Sequence, residues 1–272
     1  MNIVDSLIIE VSNRRKFIVV VGDVIIDRWV HGRVAECQDG CPKFIRGSVH
    51  ESAGGAANAY NCLTHWHGVH ARLCGGVNQP TKHRFVENGT IVWRYDDEVH
   101  NTLGHKAALD TAMENVNRAD AVLLSDYDKG LLTPSFIKEV ATVCNERRVP
   151  CVADVKSQPD VYMGCIVKCN TDWARRHYNG NLVRGVLTRE YLRPRVNGNV
   201  VGPDLPHVRC VNHVGAGDCF SAHLTLALAY GFSTEQAAAI AHSAGRVYVQ
   251  RAHNFPPHPQ EISDDFEGFV VG

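Results

Sequence analysis

Residues 17–26, FIVVVGDVII, constrain this chain more than any other stretch. This run, rich in β-branched side chains, shows no polar alternation, so it reads as a strand buried on both faces. Strands of that kind belong to parallel sheets covered by helices on each side. Gly22 and Asp23 interrupt the run near its C-terminal end, and Asp27 follows it. Further buried strands are expected at 69–74, 121–125, 149–154 and 165–169. Helical stretches fall between and after them. One opens at Ser52-Ala-Gly-Gly-Ala-Ala-Asn58 and runs to about His67, stopped by Gly68. Another covers 99–117, a third starts at Thr133-Pro134 with proline in its first position, and a fourth starts at the capping box Ser233-Thr-Glu-Gln236. This rhythm predicts an α/β fold: three layers, a mainly parallel sheet flanked by helices. A single domain over 1–272 is expected, with a small β lid from strands at about 28–51 and 81–97. The second lid segment holds a hairpin turning on Asn88-Gly89.

Charge and cysteine usage narrow the function. A net charge of −1 over 272 residues gives no footing for a nucleic-acid or membrane-surface partner. No apolar run approaches the roughly 20 residues that span a bilayer. The N-terminus carries Asp5 and the charges at Arg14 to Lys16 where a signal peptide would be cleaved, so a cytoplasmic location is expected. Ten cysteines include no C-x-x-C; the closest pairs are Cys37/Cys41 and Cys165/Cys169. Cys62, Cys74, Cys151 and Cys210 sit in apolar runs, where cysteine acts as a small buried hydrophobe. A zinc site built from these pairs and some of the 15 histidines is the minor reading, and His65-x-His67-x-x-His70 reads as a helix end.

The stretch Cys210-Val-Asn-His-Val-Gly-Ala-Gly-Asp218 carries the chemistry. It reads as a strand end, a glycine turn, and a helix with Asp218 in its first turn, closed by Gly231. Gly215 and Gly217 bare the backbone amides, which at a helix N-terminus suit an anion such as a phosphoryl group. Asp218 would then lie beside the anion, placed to take a proton from an attacking hydroxyl. Ordinary N-capping accounts for the same residues equally well. Asp27, Asp126, Lys129, Asp154, Lys156, Asn170 and Asp218 nearly all follow strand ends, where ligands bind in open α/β sheets. Asp23 and Asp27 are candidates for gripping sugar hydroxyls, with turn capping the competing role for one of them. Asn58 is a further candidate, although tight helix–sheet packing also explains the small residues around it.

Taken in order, these segments make the chain resemble the ribokinase / phosphofructokinase-B family of sugar kinases. Val214-Gly-Ala-Gly-Asp218 looks like the C-terminal signature of that family and Ala53-Gly-Gly-Ala-Ala-Asn58 like its N-terminal glycine motif. The likeness is greatest to heptose 7-phosphate kinases. It rests on Gly22-Asp-Val-Ile-Ile-Asp-Arg28, Leu124-Ser-Asp-Tyr-Asp-Lys-Gly130, Leu132-Thr-Pro134, Asp154-Val-Lys156, Tyr162-Met-Gly164 and Trp93-Arg-Tyr-Asp96. It runs in register from about Phe17 to Arg251. The resemblance implies ATP and Mg2+ as cofactors, Asp218 as catalytic base, and the amides of Gly215, Ala216 and Gly217 around the transferred phosphoryl group. Asp23, Asp27, Gly54, Gly55, Asn58, Asp126 and Lys129 would face the sugar or sugar phosphate. Asp154, Lys156, Asn170, Thr188 and His242 would face the nucleotide, with magnesium near Asn170 and the helix from Ser233 bordering the adenine pocket. Two subunits would pair through the lid.

Several residues depart from the pattern. The family motif Asn-x-x-Glu, whose glutamate helps organise magnesium, has Trp173 in the last place here, with Asp172 beside it. Glu190 stands where a glycine is expected, and Asp128 where heptose kinases tend to have glycine. The segment from Gly76 to Thr81 lacks room for an extra helix found in relatives, and the fifteen residues between Asn170 and Val186 are too few for the usual strand–helix–strand spacing. These departures set a weakly active or silent binding protein beside the kinase reading, along with a kinase for another sugar or a nucleoside.

Overall fold

The structure is a computed structural model describing residues 1–36, 40–76, 79–98, 105–156, 159–178, 185–189 and 192–268. The expected single strand over 17–26 is two strands in two sheets. β1 (Lys16–Gly22) lies in the main sheet, and β2 (Val24–Ala35) begins a smaller one. The chain changes sheet at Gly22-Asp23. A Cβ on Gly22 would come within 2.1 Å of the Ser125 carbonyl oxygen, so the close passage there requires glycine. The Asp23 amide donates to that same oxygen at 3.2 Å. The interruption at Gly22-Asp23 sits at the switch, but the hydrophobic residues on either side of it made the run read as one strand.

β3 (Lys43–Gly55) pairs antiparallel with β2 and feeds α2 (Ala56–Thr64). The glycine motif therefore ends a strand instead of opening the helix, and α2 stops three residues before His67. β4 (Val69–Gly75), β5 (Thr81–Glu87) and β6 (Thr90–Asp97) follow, the last two joined at Asn88-Gly89, both with positive φ. That is the twist-matched turn expected of Asn-Gly. Next come α3 (His105–Val116), β7 (Ala121–Ser125) and α4 (Pro134–Arg147), whose N-cap Thr133 accepts from the Phe136 amide. β8 (Cys151–Asp154), β9 (Ile166–Asn170), α5 (Thr171–Tyr178) and β10 (Val186–Arg189) complete the parallel part. The fifteen residues after Asn170 do hold a helix, an eight-residue one. β11 (Leu192–Val196) and β12 (Asn199–Val200) add an antiparallel edge. Residues 201–213 are not a strand, so the strand expected to end at Cys210 is absent; Val211 and Asn212 instead donate to the Val249 carbonyl. α6 (Ala216–Ala229), α7 (Thr234–Val249, with the expected Ser233/Gln236 capping box) and α8 (Pro259–Phe266) end the chain, while α1 (Ile3–Asn13) begins it. The first six residues of the helix expected over 99–117, together with Cys37 and Glu190, lie outside the described residues.

Among the described residues the main sheet runs β12-β11-β10-β9-β8-β7-β1-β4 and the lid sheet β3-β2-β5-β6. Alternation along β1 sorts its side chains. Ile18 and Val20 face a core with α1, α2, α6, α7 and α8, whereas Val19 and Val21 face a core with α3, α4 and α5. Each such fully buried side chain contributes about 1.5–3 kcal/mol. The lid is tied to its own root by the Arg84–Asp27 ion pair, 2.8 Å long and buried on both sides.

Gly55 joins lid and body. Its φ of +58° is paired with ψ −135°, and a Cβ would lie 2.5 Å from the Asp23 carbonyl oxygen. Gly55→Ala is expected to lower stability by about 3 kcal/mol, from backbone strain and displacement of that carbonyl. Equilibrium urea unfolding checks this; an unchanged midpoint would contradict the assigned close approach.

Candidate active site

Asp218 lies in the first turn of α6, only 2% exposed. Gly215, in the left-handed region at φ +83°, turns the chain into the helix. A Cβ there would stand 2.5 Å from both Asn58 Nδ2 and Tyr248 Oη, so glycine is needed for close packing as well as for φ. Asn58, in the first turn of α2, uses its amide to bracket the turn. Nδ2 donates to the Gly215 carbonyl at 3.1 Å and to Asp218 Oδ2 at 3.2 Å, and contacts Tyr248 Oη at 3.1 Å. From the other side Tyr127 Oη donates to Asp218 Oδ1 at 2.6 Å.

These contacts compete over the Asp218 proton. Burial pushes its carboxyl up to about 6; the Tyr127 hydrogen bond is the largest opposing effect, with Asn58 and Lys168 also opposing and Asp154 adding to the rise. A buried carboxyl poised near neutrality can accept a proton from a hydroxyl. The Tyr127 hydroxyl is driven in the opposite sense, well above its ordinary value by burial and by Asp218, so it stays a donor.

A cleft of about 490 Å³ lies beyond the ends of β8, β9 and β10, against α6 and α7. Asp154, Lys156, Asn170, Thr188, Gly217 and His242 line it along with Ala216, so the residues expected on a nucleotide converge on one space except Gly215, which does not line it. Cations dominate its polar wall. Lys168 Nζ makes a buried ion pair with Asp154 at 2.8 Å and reaches the Gly217 carbonyl at 3.3 Å; Ser221 also donates to Asp154 at 2.9 Å. Asp154 is thus neutralised by the chain. Lys156 Nζ and Lys82 Nζ lie over the Tyr127 ring at 5.2 and 4.7 Å, one from the cleft side and one from the lid. Among the described residues, the Nε of Arg189, on the wall of the cleft, is buried with no hydrogen-bond partner. Burial holds the His242 imidazole down at about 4, so it is neutral near pH 7.

Other expected site residues have structural partners. Asp23 accepts the amides of Tyr127 (2.9 Å) and Lys129 (3.2 Å), the turn-forming role that competed with sugar binding. Asp126 accepts the Asp128 amide at 2.8 Å and the Tyr162 hydroxyl. Lys129 pairs with Glu98, and Asp27 with Arg84. Gly54 lies against Asp27, where a Cβ would come within 2.6 Å of its carboxylate. Asn58 is fully buried under the Gly215 turn, so its amide braces Asp218 and does not reach open space. The Ala216 amide is taken by the His213 carbonyl at 3.2 Å, which leaves the amides further into α6 for an anion; no side chain caps this helix. Thr188 Oγ1 donates to the Cys169 carbonyl.

The surroundings of Asn170 do not fit a magnesium ion held by the protein. Asn170 Oδ1 caps α5 through the Trp173 amide at 2.9 Å, Trp173 is buried in the core, and the exposed Asp172 pairs with Arg175. Among the described residues no group of three or more His, Cys, Asp or Glu is placed to hold a metal ion. Tyr127, Lys168, Ser221 and Tyr248 were not singled out in the sequence as site residues. Lys168 left a readable signal, a lysine inside an otherwise apolar strand; Tyr248, at the far end of α7, left none.

No family model matches the sequence. It is 27% identical to the bifunctional protein HldE of Granulibacter bethesdensis over 93% of this chain and 65% of that protein. It is 25% identical to the HldE of Azorhizobium caulinodans over 86% and 61% respectively, so the chain spans less than two thirds of these relatives. Among solved structures, phosphofructokinase-2 from Escherichia coli in complex with substrates and products superposes with a TM-score of 0.69 at 13% identity, covering 93% of this chain and 98% of that one. Arabidopsis thaliana ribokinase complexed with ribose and ATP gives 0.65 at 16% identity, covering 93% and 99%.

The hydrogen bond from Tyr127 holds Asp218 down against burial, so Tyr127→Phe is expected to raise the Asp218 titration above about 6, by roughly one unit. Carboxyl carbon NMR of Asp218 against pH reads this directly; a titration unmoved or lowered would reject the bond as a determinant. The fold that carries this site is the ribokinase type, and the sequence is similar to HldE proteins over nearly its whole length.

Proposed function

We propose that this chain is an ATP-dependent carbohydrate kinase that phosphorylates a sugar hydroxyl, the anomeric hydroxyl of a heptose 7-phosphate or a similar sugar phosphate. The observation that carries the proposal is Asp218: a desolvated carboxyl near neutrality, at the mouth of a glycine turn, beside a cation-lined cleft on this fold. ATP, with its magnesium carried on the phosphates, would supply the γ-phosphoryl group. Asp218 takes the proton of the attacking hydroxyl. Helix amides from Gly217 onward, together with Lys168, stabilise the negative charge that develops nearby. Tyr127 and Asn58 hold one carboxylate oxygen each, which fixes the orientation of the base. Lys82 on the lid and Lys156 in the body add positive charge on either side of that ring, as an acceptor already bearing a phosphate needs. The resemblance of the 22–28, 124–130 and 154–156 segments to heptose kinases, and the likeness to HldE proteins, support the choice of sugar.

A silent binding protein is the second reading, favoured by Trp173, which fills with core packing the place of a metal-organising carboxylate. One variant separates the two. Asp218→Asn should cut turnover, in a coupled ADP assay with heptose 7-phosphate, by about 10²–10⁴-fold with little change in sugar-phosphate binding. Wild-type turnover should fall as pH drops through about 6, as the base protonates. Binding without turnover in the wild type would favour the silent reading. The same variant has a stability signature. Because folding raises the Asp218 pKa, this residue's contribution is most favourable below its unfolded value and is lost as pH rises through about 6. Asp218→Asn should therefore be more stable than wild type at pH 8, by about 1–2 kcal/mol, with the gain vanishing near pH 4.

The reading also pairs two copies through the lid, with a soluble cytoplasmic setting. Val92, Trp93 and Tyr95 of β6 are exposed. Trp93→Glu is expected to convert a dimer to monomer in sedimentation velocity; a wild type that sediments as a monomer at micromolar concentration would reject the pairing.

A further inference from the structure

Three cysteines that no step above uses meet at the starts of β8 and β9, at the opposite end of these strands from the cleft. Cys151 is the first residue of β8, and Cys165 directly precedes β9. These strands pair in parallel with Val152 opposite Ile166, so Cys151 and Cys165 stand opposite one another one position earlier and project to the same face. Their Sγ atoms lie 3.5 Å apart. Cys144, on α4, is a third thiol beside Cys151, whose proximity lowers its pKa. Cys144 and Cys151 are buried, whereas Cys165 is only half-buried, in a turn next to the exposed Met163.

We propose that Cys151 and Cys165 form an oxidation site, which a hydroperoxide entering at Cys165 converts to a disulfide. Thiols in van der Waals contact on neighbouring strands need to close by only about 1.5 Å to reach bonding distance, a movement that side-chain rotation supplies. The chemistry balances with hydrogen peroxide. The Cys165 sulfur attacks one peroxide oxygen: an S–O bond forms, the O–O bond breaks, and water leaves once the thiol proton is transferred. The Cys151 sulfur then attacks the resulting sulfenic sulfur: the S–S bond forms, the S–O bond breaks, and a second water carries away the Cys151 proton. Two thiols are oxidised and one peroxide is reduced to two waters. The bond closes the segment 151–165, which includes Asp154 and Lys156 of the cleft, but the bond itself lies at the strand starts, about 10 Å along β8 from Asp154. A clasp on the scaffold is therefore expected.

The test uses the intact chain, treated with hydrogen peroxide without denaturant, alkylated with N-ethylmaleimide and analysed by intact mass and peptide mapping. The expected result is loss of two hydrogen atoms, one peptide pair linking Cys151 to Cys165, reversal by dithiothreitol, and a Tm raised by roughly 5 °C. Cys165→Ser should lose both the link and the Tm shift, while Cys74→Ser, at a distant buried thiol, should keep both. Addition of oxygen to Cys165 without a link would overturn the proposal. So would a link that leaves Cys165 alkylated, or a Tm shift that persists in Cys165→Ser. No readout involves phosphoryl transfer, so failure here leaves the kinase reading standing, and failure of that reading leaves this one.

Discussion

A carboxylate withdrawn from water yet still hydrogen-bonded on both oxygens is the constraint from which the rest of the structure can be followed. Without its donors, Asp218 would be held in its neutral form by burial alone; fully solvated, it would be an ordinary acid. The donors bring its pKa down to about 6. Each of them depends on something further away. Asn58 reaches the carboxylate because α2 starts directly after Gly55, and α2 starts there because the Ala56 amide donates to the Asp23 carbonyl at 3.0 Å. The Asp23 carboxylate in turn gathers the amides of the loop that carries Tyr127. One aspartate at the sheet change thus positions both brackets of the other.

The ion pair between Lys168 and Asp154 is the second part of the same arrangement. A lysine inside a buried strand is tolerable only if its charge is met, and Asp154 meets it from the neighbouring strand with Ser221 as a further donor. Burial raises the Asp154 carboxyl, but Lys168 and Lys156 more than offset that and hold it below its ordinary value. The result is an ammonium fixed beside Gly217, at the foot of α6. On the proposed reading its charge helps at the moment when negative charge grows there, without any reorganisation.

Much of this was legible in residue order. Buried strands at 121–125, 149–154 and 165–169, the Asn-Gly hairpin, the Pro134 helix start and the Ser233 capping box all lie where local chemistry puts them, because each depends on neighbours in sequence. The strand-end rule also brought Asp154, Lys156 and Asn170 to one side of the sheet, whereas Asp218 follows a non-strand segment. What escaped was whatever depended on distant partners. The split of 17–26 between sheets turns on a carbonyl at Ser125, and Asn58's role turns on Gly215 and Tyr248, far along the chain. Asp23, Asp126 and Asp27 have hydrogen-bonding chemistry that suits either a sugar or a loop, and only their neighbours decide between the two.

The nucleotide side deserves a different weighting once packing is considered. A tryptophan at position 173 looks like damage if position 173 is required to hold a metal's waters. In the structure its ring is a core residue, tilted against His177 and Tyr178, and it anchors the short α5 to the sheet. Burying a ring of that size contributes a few kcal/mol, an amount that matters for a helix of eight residues, too short to hold by itself. Loss of a carboxylate at the cleft also changes the local charge balance. Asp154 is already neutralised and Asp172 on the cleft wall is paired with Arg175, so on the proposed reading Lys156 and Arg189 face the incoming polyphosphate. On the proposed reading, the chain meets the phosphates with fixed cations. A site so built binds anions through its own side chains and leaves the metal to travel with the nucleotide.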